Sequence, residues 1–113
     1  MHELSVANSI IISLEKLKKQ NNFSVLQRIK ISVGRISGVD AEALRFALES
    51  LRKSTLIGSA ELDISLQELK IKCNVCGAET EVAQFDFKCA SCGECDYEII
   101  SGDELEITEI EVD

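Results

Sequence analysis

Two Cys-x-x-Cys pairs, Cys73-Asn-Val-Cys76 and Cys89-Ala-Ser-Cys92, stand twelve residues apart and constrain this chain more than any other feature. Each pair sets two thiolates on one side of a tight loop, and two such loops close four sulfurs around one ion. Four cysteines fill the tetrahedral coordination of Zn2+ and leave no open position, so the site reads as structural rather than catalytic. Gly77 and Gly93 each follow the second cysteine of a pair. A glycine there lets the chain turn back with positive φ, so that backbone N–H groups point at sulfur. Disulfides or unrelated thiols are the competing reading of the same residues. A knuckle stretch this short builds no hydrophobic core of its own, so the metal must supply most of its folding free energy, about 10 kcal/mol or more.

The whole chain has 113 residues, enough for one domain or a small domain with an appendage. It carries 20 acidic and 12 basic residues, a formal charge of −8. Four thiolates and one Zn2+ would take this to about −10. Phosphate backbones repel such a chain, which argues against a nucleic-acid-binding zinc ribbon. No Gly-rich phosphate loop and no Ser/His/Asp set is visible, and one histidine leaves little for acid–base catalysis. An enzyme is therefore not expected. No cationic, apolar leader and no apolar run near 18 residues is seen, so neither secretion nor a membrane span is expected. Reduced thiols place the chain in the cytoplasm.

The hydrophobic pattern gives the organisation. Leu4, Ile11, Leu14 and Leu17 recur at helical spacing over 3–20, with Lys16, Lys18 and Lys19 in the last turns and Asn21-Asn22 at the end. Ile29, Ile31 and Val33 alternate with Lys30, Ser32 and Gly34 as a strand over 26–35. Asp40 suits the N-cap of a helix over 41–53, which carries Leu44, Ala47, Leu48 and Leu51 on one face with Phe46 nearby. An extended stretch over 59–72 shifts register near Gln67-Glu68, which suggests a bulge or bend where the strand leaves the main domain. Tyr97 and Ile99 mark a strand, Ser101-Gly102-Asp103 a turn, and Leu105, Ile107, Ile110 and Val112 a last strand with one register break. The expected fold is α+β: a small three-stranded sheet with two helices on one face, plus an inserted zinc-ribbon-like module. The expected division is 1–70 with 103–113 as one domain and 71–102 as the insertion, joined by a two-stranded hinge.

The chain opens Met1-His2-Glu3, and His2 is its one histidine. The α-amine and the neighbouring imidazole can bind one ion in fused chelate rings, with backbone amides completing a planar set. Such nitrogen donors suit Ni(II) or Cu(II). A histidine at position 2 also occurs by chance at a frayed terminus. Glu3 is a candidate ligand, a first-turn charge favoured by the helix dipole, or a solvated side chain. Asp40 is a candidate ligand or a helix cap.

Taken in order, Met-His-Glu-Leu-Ser, Ile-Ser-Val-Gly, the Phe46 helix, Ala60-Glu-Leu-Asp-Ile, the paired Cys-x-x-Cys module and Gly102-Asp-Glu-Leu-Glu-Ile closely resemble the HypA/HybF family of hydrogenase maturation nickel chaperones. The resemblance covers essentially the full length. It implies transient nickel binding at the N-terminus, through the Met1 amine, His2 by imidazole and backbone nitrogen, and Glu3 by its backbone. It implies zinc held by Cys73, Cys76, Cys89 and Cys92. It further implies action with a GTPase partner, HypB, to insert Ni(II) into the large subunit of nickel–iron hydrogenase, and in some bacteria service to urease through its accessory proteins. A monomer or weak homodimer is the expected state. Two features depart from the family pattern: Ala90 stands where proline commonly follows the first cysteine of the second knuckle, and Cys95 is extra. Cys95 could compete as a ligand, sense redox state or be a bystander. A zinc-ribbon adaptor that binds only proteins, and a rubredoxin-like iron protein, are the rival readings of the cysteines.

Overall fold

The computed structural model describes residues 3–82 and 88–113, in the order α1 (Glu3–Asn21), β1 (Leu26–Gly34), α2 (Ala41–Ser50), β2 (Glu61–Gln67), β3 (Leu69–Cys73), β4 (Glu79–Val82), β5 (Tyr97–Ser101) and β6 (Leu105–Val112). Helix α1 forms because Val6, Ala7, Ile10, Ile11 and Leu14 fall on one buried face. It stops where Asn22 takes a left-handed φ of 53° and its N–H bonds the Lys18 carbonyl. Helix α2 starts at Asp40, whose carboxylate accepts the N–H groups of Glu42 at 2.9 Å and Ala43 at 3.2 Å. It ends at Ser50, three residues before the helix expected from periodicity. The cause is Arg52. Its guanidinium folds back onto the Glu49 carboxylate and the carbonyls of Gly58 and Ala60, closing a turn where the helix would have continued.

Strand β1 is the centre of a three-stranded sheet ordered β2-β1-β6. It pairs parallel with β2, which the α2 crossover permits, and antiparallel with β6. Ile29, Ile31 and Val33 point to the helices and are fully buried with Leu14, Leu44, Leu48 and Ile57. Arg28, Lys30 and Ser32 alternate with them on the opposite face. There Arg28 pairs with Asp63 at 2.8 Å and Lys30 with Glu109 at 3.2 Å. The register break expected in the last strand lies opposite Lys30/Ile31, where Glu109 and Ile107 pair and Thr108 is left over as a bulge. Phe46 does not join the core: it is 77% exposed on α2.

A second sheet, β4-β3-β5, is antiparallel throughout. The stretch expected as one extended run over 59–72 is thus two strands in two different sheets, with Glu68 between them. Strand β4 was not evident in the sequence. Glu79-Thr-Glu-Val is four residues with one buried apolar side chain, and its register comes from β3 rather than from its own pattern. The second core is small: Leu69, Ile71 and Val82 are buried, with Ile36 and Tyr97 packed against them.

Where the sheets meet, the end of β1 inserts between the two crossing segments. Gly34 N–H bonds the Glu104 carbonyl at 2.7 Å, Arg35 N–H the Gln67 carbonyl at 2.9 Å, and Ile36 N–H the Gly102 carbonyl at 2.9 Å. Three segments meet here, not the two of the expected hinge. The Arg35 guanidinium grips Glu68 through both its oxygens and holds that carboxyl below its usual range. A Cβ on Gly34 would stand 2.3 Å from the Gly102 oxygen, and one on Gly102 only 2.5 Å from the Leu69 Cα. Gly102 also has φ +100°, a conformation that L side chains rarely adopt. Both obstacles are backbone atoms, which cannot rotate away. Gly34→Ala and Gly102→Ala should each destabilise the protein by about 2–3 kcal/mol. Thermal unfolding checks this; melting at the parent temperature would show that the junction gives way without cost.

Candidate metal centre

The two cysteine pairs fold into two copies of one turn. In the first, Cys73 N–H bonds the Ala78 carbonyl at 2.9 Å and Gly77 N–H returns to the Cys73 carbonyl at 3.0 Å. In the second, Cys89 N–H bonds the Glu94 carbonyl at 2.9 Å and Gly93 N–H returns to Cys89 at 2.9 Å. Gly77 and Gly93 share the same φ of 77°, as the sequence predicts. The first turn ends β3, and the second precedes β5. Since β3 pairs with β5, the sheet itself brings the turns face to face. Side chains lock the approach: Asn74 donates to Asp96 at 2.9 Å, and Ala90 N–H donates to the Thr80 hydroxyl at 3.3 Å. Sequence reasoning missed both ties, and a lone Asn or Thr in a polar loop gives no signal of them.

The Sγ atoms of Cys73, Cys76, Cys89 and Cys92 all lie within 4.8 Å of one another. Cys73 and Cys92 approach to 3.6 Å, and Cys76 and Cys89 to 3.5 Å. A disulfide needs about 2.05 Å. A tetrahedron of sulfurs about 2.3 Å from a zinc-sized ion has edges of about 3.8 Å. The geometry therefore fits a metal and not a pair of disulfides, and all five cysteines are free thiols. Cys95 is exposed and stands outside the four-sulfur set.

The four thiols are not equivalent. The first of each pair, Cys73 and Cys89, is buried and accepts two backbone N–H groups. For Cys73 the donors are Cys76 and Val75, which hold its pKa low against the opposing effect of burial. For Cys89 they are Cys92 and Ser91, which bring it to about 6. The second of each pair is exposed and receives one such donor. The Ala78 N–H pulls the Cys76 thiol down, but its contact with Cys89 and its partial desolvation raise it overall. The Glu94 N–H acts likewise on Cys92, yet desolvation and the three neighbouring sulfurs push it up to about 12. Four thiolates this close repel one another, and a divalent cation removes the conflict. The site is thus half-prepared for a metal by its backbone, and the remaining thiols ionise when the cation arrives.

At the other end of the chain, the expected nickel ligands Met1 and His2 lie outside the described residues. Glu3 opens α1 and is half-buried. Asp40 spends its carboxylate on the α2 cap, the second of its two expected roles. Among the described residues, no helix is long and apolar enough to cross a membrane.

The comparisons with known proteins cover the whole chain. A family model described as hydrogenase/urease nickel incorporation, metallochaperone, HypA matches residues 1–112. The hydrogenase maturation factor HypA of Aquifex aeolicus (strain VF5) is 35% identical over 115 residues, covering 100% of both chains. That of Syntrophus aciditrophicus (strain SB) is 38% identical over 114 residues, again covering 100% of both. The fold is similar to the solution structure of the Ni metallochaperone HypA from Helicobacter pylori, with a TM-score of 0.71 and 27% identity over 99% of this chain and 97% of that one.

One tightly bound metal per chain is expected by elemental analysis. Cys73→Ser or Cys89→Ser should abolish it, whereas Cys95→Ser should keep full occupancy. Loss of the metal on changing Cys95 would make that residue a ligand and displace one of the four.

Proposed function

The chain belongs to the HypA family of hydrogenase and urease nickel-incorporation metallochaperones, and on that premise we propose that it carries Ni(II) to the large subunit of a nickel–iron hydrogenase during maturation. The full-length family match together with the closed four-sulfur cluster carries this reading. We assign Zn2+ to Cys73, Cys76, Cys89 and Cys92 as a structural ion: four sulfurs saturate it and leave no place for substrate. Ni(II) is cargo, bound at the Met1 amine, at His2 through imidazole and backbone nitrogen, and at the Glu3 backbone. Two parts share the work, a nickel-binding α+β unit (1–70 with 103–113) and the inserted zinc module (71–102). The protein acts in the cytoplasm as a carrier rather than an enzyme, with the GTPase HypB as the partner that drives delivery. Urease is a second destination where its accessory proteins are present.

A carrier must release what it binds, so its cargo site needs few ligands and ready access. An amine and an imidazole at a chain terminus meet that need. The test is a nickel titration of zinc-loaded, tag-free protein beside His2→Ala and a version with two residues added before Met1. Only the native terminus should bind one Ni(II) per chain at about micromolar affinity, a binding free energy of about 8 kcal/mol. If all three bind alike, nickel goes elsewhere and a protein-binding zinc adaptor is the better account.

The pH dependence follows from the ligands. The His2 imidazole must be neutral to bind, and an unperturbed imidazole titrates near pH ~6.5. Protons therefore compete increasingly as pH falls through that value, and nickel affinity should drop by about tenfold for each proton displaced per unit of pH. An affinity unchanged between about pH 7.5 and 5.5 would remove His2 from the ligand set.

A further inference from the structure

The charge of this chain is unevenly distributed. Residues 1–58 hold nine basic and five acidic side chains, whereas residues 59–113 hold three basic and fifteen acidic. Among the described residues, the cations that form ion pairs are Arg28, Lys30, Arg35, Arg52 and Lys70. Of the seven that do not, three are Lys18, Lys19 and Lys53. They converge from separate parts of the chain, the last turn of α1 and the turn after α2, on the rim of one open groove of about 810 Å3. Its floor is Phe23 and Leu56, and Asn22, Ser54 and Thr55 line the sides. Phe23 is buried and Leu56 half-buried, while the three lysines are exposed. Glu15 is the one acidic residue on the rim, opposing three ammonium groups.

We propose that this groove is the docking surface for an acidic segment of a partner protein, whose carboxylates meet Lys18, Lys19 and Lys53 while an apolar side chain rests on Phe23 and Leu56. The chemistry of the groove selects that occupant over other anions. The groove lies at the C-terminal end of α1 and so offers no free helix N–H groups. A compact anion such as phosphate binds at the opposite kind of helix end, among N–H donors. Lysines offer separate point charges on flexible stems, not the paired fork that grips phosphate. Carboxylates spaced along a peptide match three separated ammonium groups. The strongly acidic second half of the chain repels nucleic acid and anionic lipid surfaces, whose charge is extended. An acidic segment small enough to enter the groove avoids most of that repulsion, because screening is strong beyond about 10 Å.

The position has a functional consequence. Lys18 lies fifteen residues along α1 from Glu3, or about 22 Å at 1.5 Å per residue. A segment held at the groove leaves the Glu3 end of α1 uncovered. The surface does not depend on the nickel reading, and its test uses nickel-free protein so that failure of one leaves the other standing.

The experiment is a titration of 15N-labelled, zinc-loaded full chain with a synthetic Asp/Glu-rich peptide containing leucines, followed by amide chemical shifts. Shifts should centre on Lys18, Lys19, Phe23, Lys53 and Leu56. Affinity should weaken as salt rises and fall about tenfold in Lys18→Glu/Lys19→Glu/Lys53→Glu, the combined loss of three exposed charge pairs. The control Lys72→Glu makes the same charge change as Lys53→Glu but on β3, and should leave binding near the parent value. Retained shifts elsewhere show that each variant is folded. The proposal is overturned by any of four outcomes: no binding up to about 1 mM peptide; shifts centred on another surface; equal weakening by Lys72→Glu; or inorganic phosphate or a short DNA duplex producing the same shifts at equal affinity.

Discussion

The relation of the two sheets depends on a close backbone crossing that two glycines permit. Gly34 ends the central strand of the larger sheet, and Gly102 sits in the turn that brings the chain back from the metal module. Without side chains at either position, three backbone segments come within hydrogen-bonding reach and satisfy one another's donors and acceptors. This lets β1 do two jobs. Its buried face builds the helix-covered core through Ile29, Ile31 and Val33, and two residues beyond its end Ile36 enters the core of the other sheet. A longer side chain at the crossing would force the segments apart and withdraw Ile36 from a cluster that, among the described residues, has three buried members.

That small cluster explains why the metal site is prepared so carefully by the backbone. Among the described residues, Leu69, Ile71 and Val82, with Ile36 and Tyr97 against them, bury little apolar surface for ordering the loops around them. The loops are instead organised from the sulfurs outward. Each knuckle aims two N–H groups at its buried cysteine, and the β3–β5 ladder presents the two knuckles to each other. Metal affinity and folding of this sheet are consequently one process rather than two. The exposed Cys95 stands outside this four-sulfur set.

How much of this was legible in the sequence depended on whether the signal was local. The cysteine spacing and the glycines after each pair specified the knuckles, since a tight turn needs those residues wherever it occurs. Alternation marked β1, and Asp40 marked the start of α2, because period and capping are properties of neighbouring residues. The end of α2 was misjudged because the residue that stops it, Arg52, acts through carbonyls six and eight positions away. Strand β4 was invisible for a related reason: its pairing is dictated by β3 and the metal turns. The shift of register at Glu68 marked where the strand leaves the larger domain, but nothing local says that the residues beyond it become the central strand of a second sheet. Gly34 and Gly102 read only as strand and turn breakers. Their contact joins positions 68 residues apart, and no pattern within either segment records it.

The open face of the larger sheet shows what the chain does with cations when they serve only the fold. Across the three strands, Arg28 lies between Glu61 and Glu111, and Lys30 between Asp63 and Glu109. Each cation is flanked on both sides by acids, so the face is neutralised row by row with acidic charge to spare. Exposed pairs of this kind add little stability, but they leave no positive potential for a partner to find. Lys18, Lys19 and Lys53 are arranged on the opposite rule. These three cations gather over an apolar floor with Glu15 as the one acidic residue beside them, and none of them forms an ion pair among the described residues. Such a local positive field favours approach by an acidic segment at the groove over approach at the acidic second half of the chain. The acidic surplus of residues 59–113 opposes nucleic acid and, by contrast, steers an acidic segment toward the proposed groove.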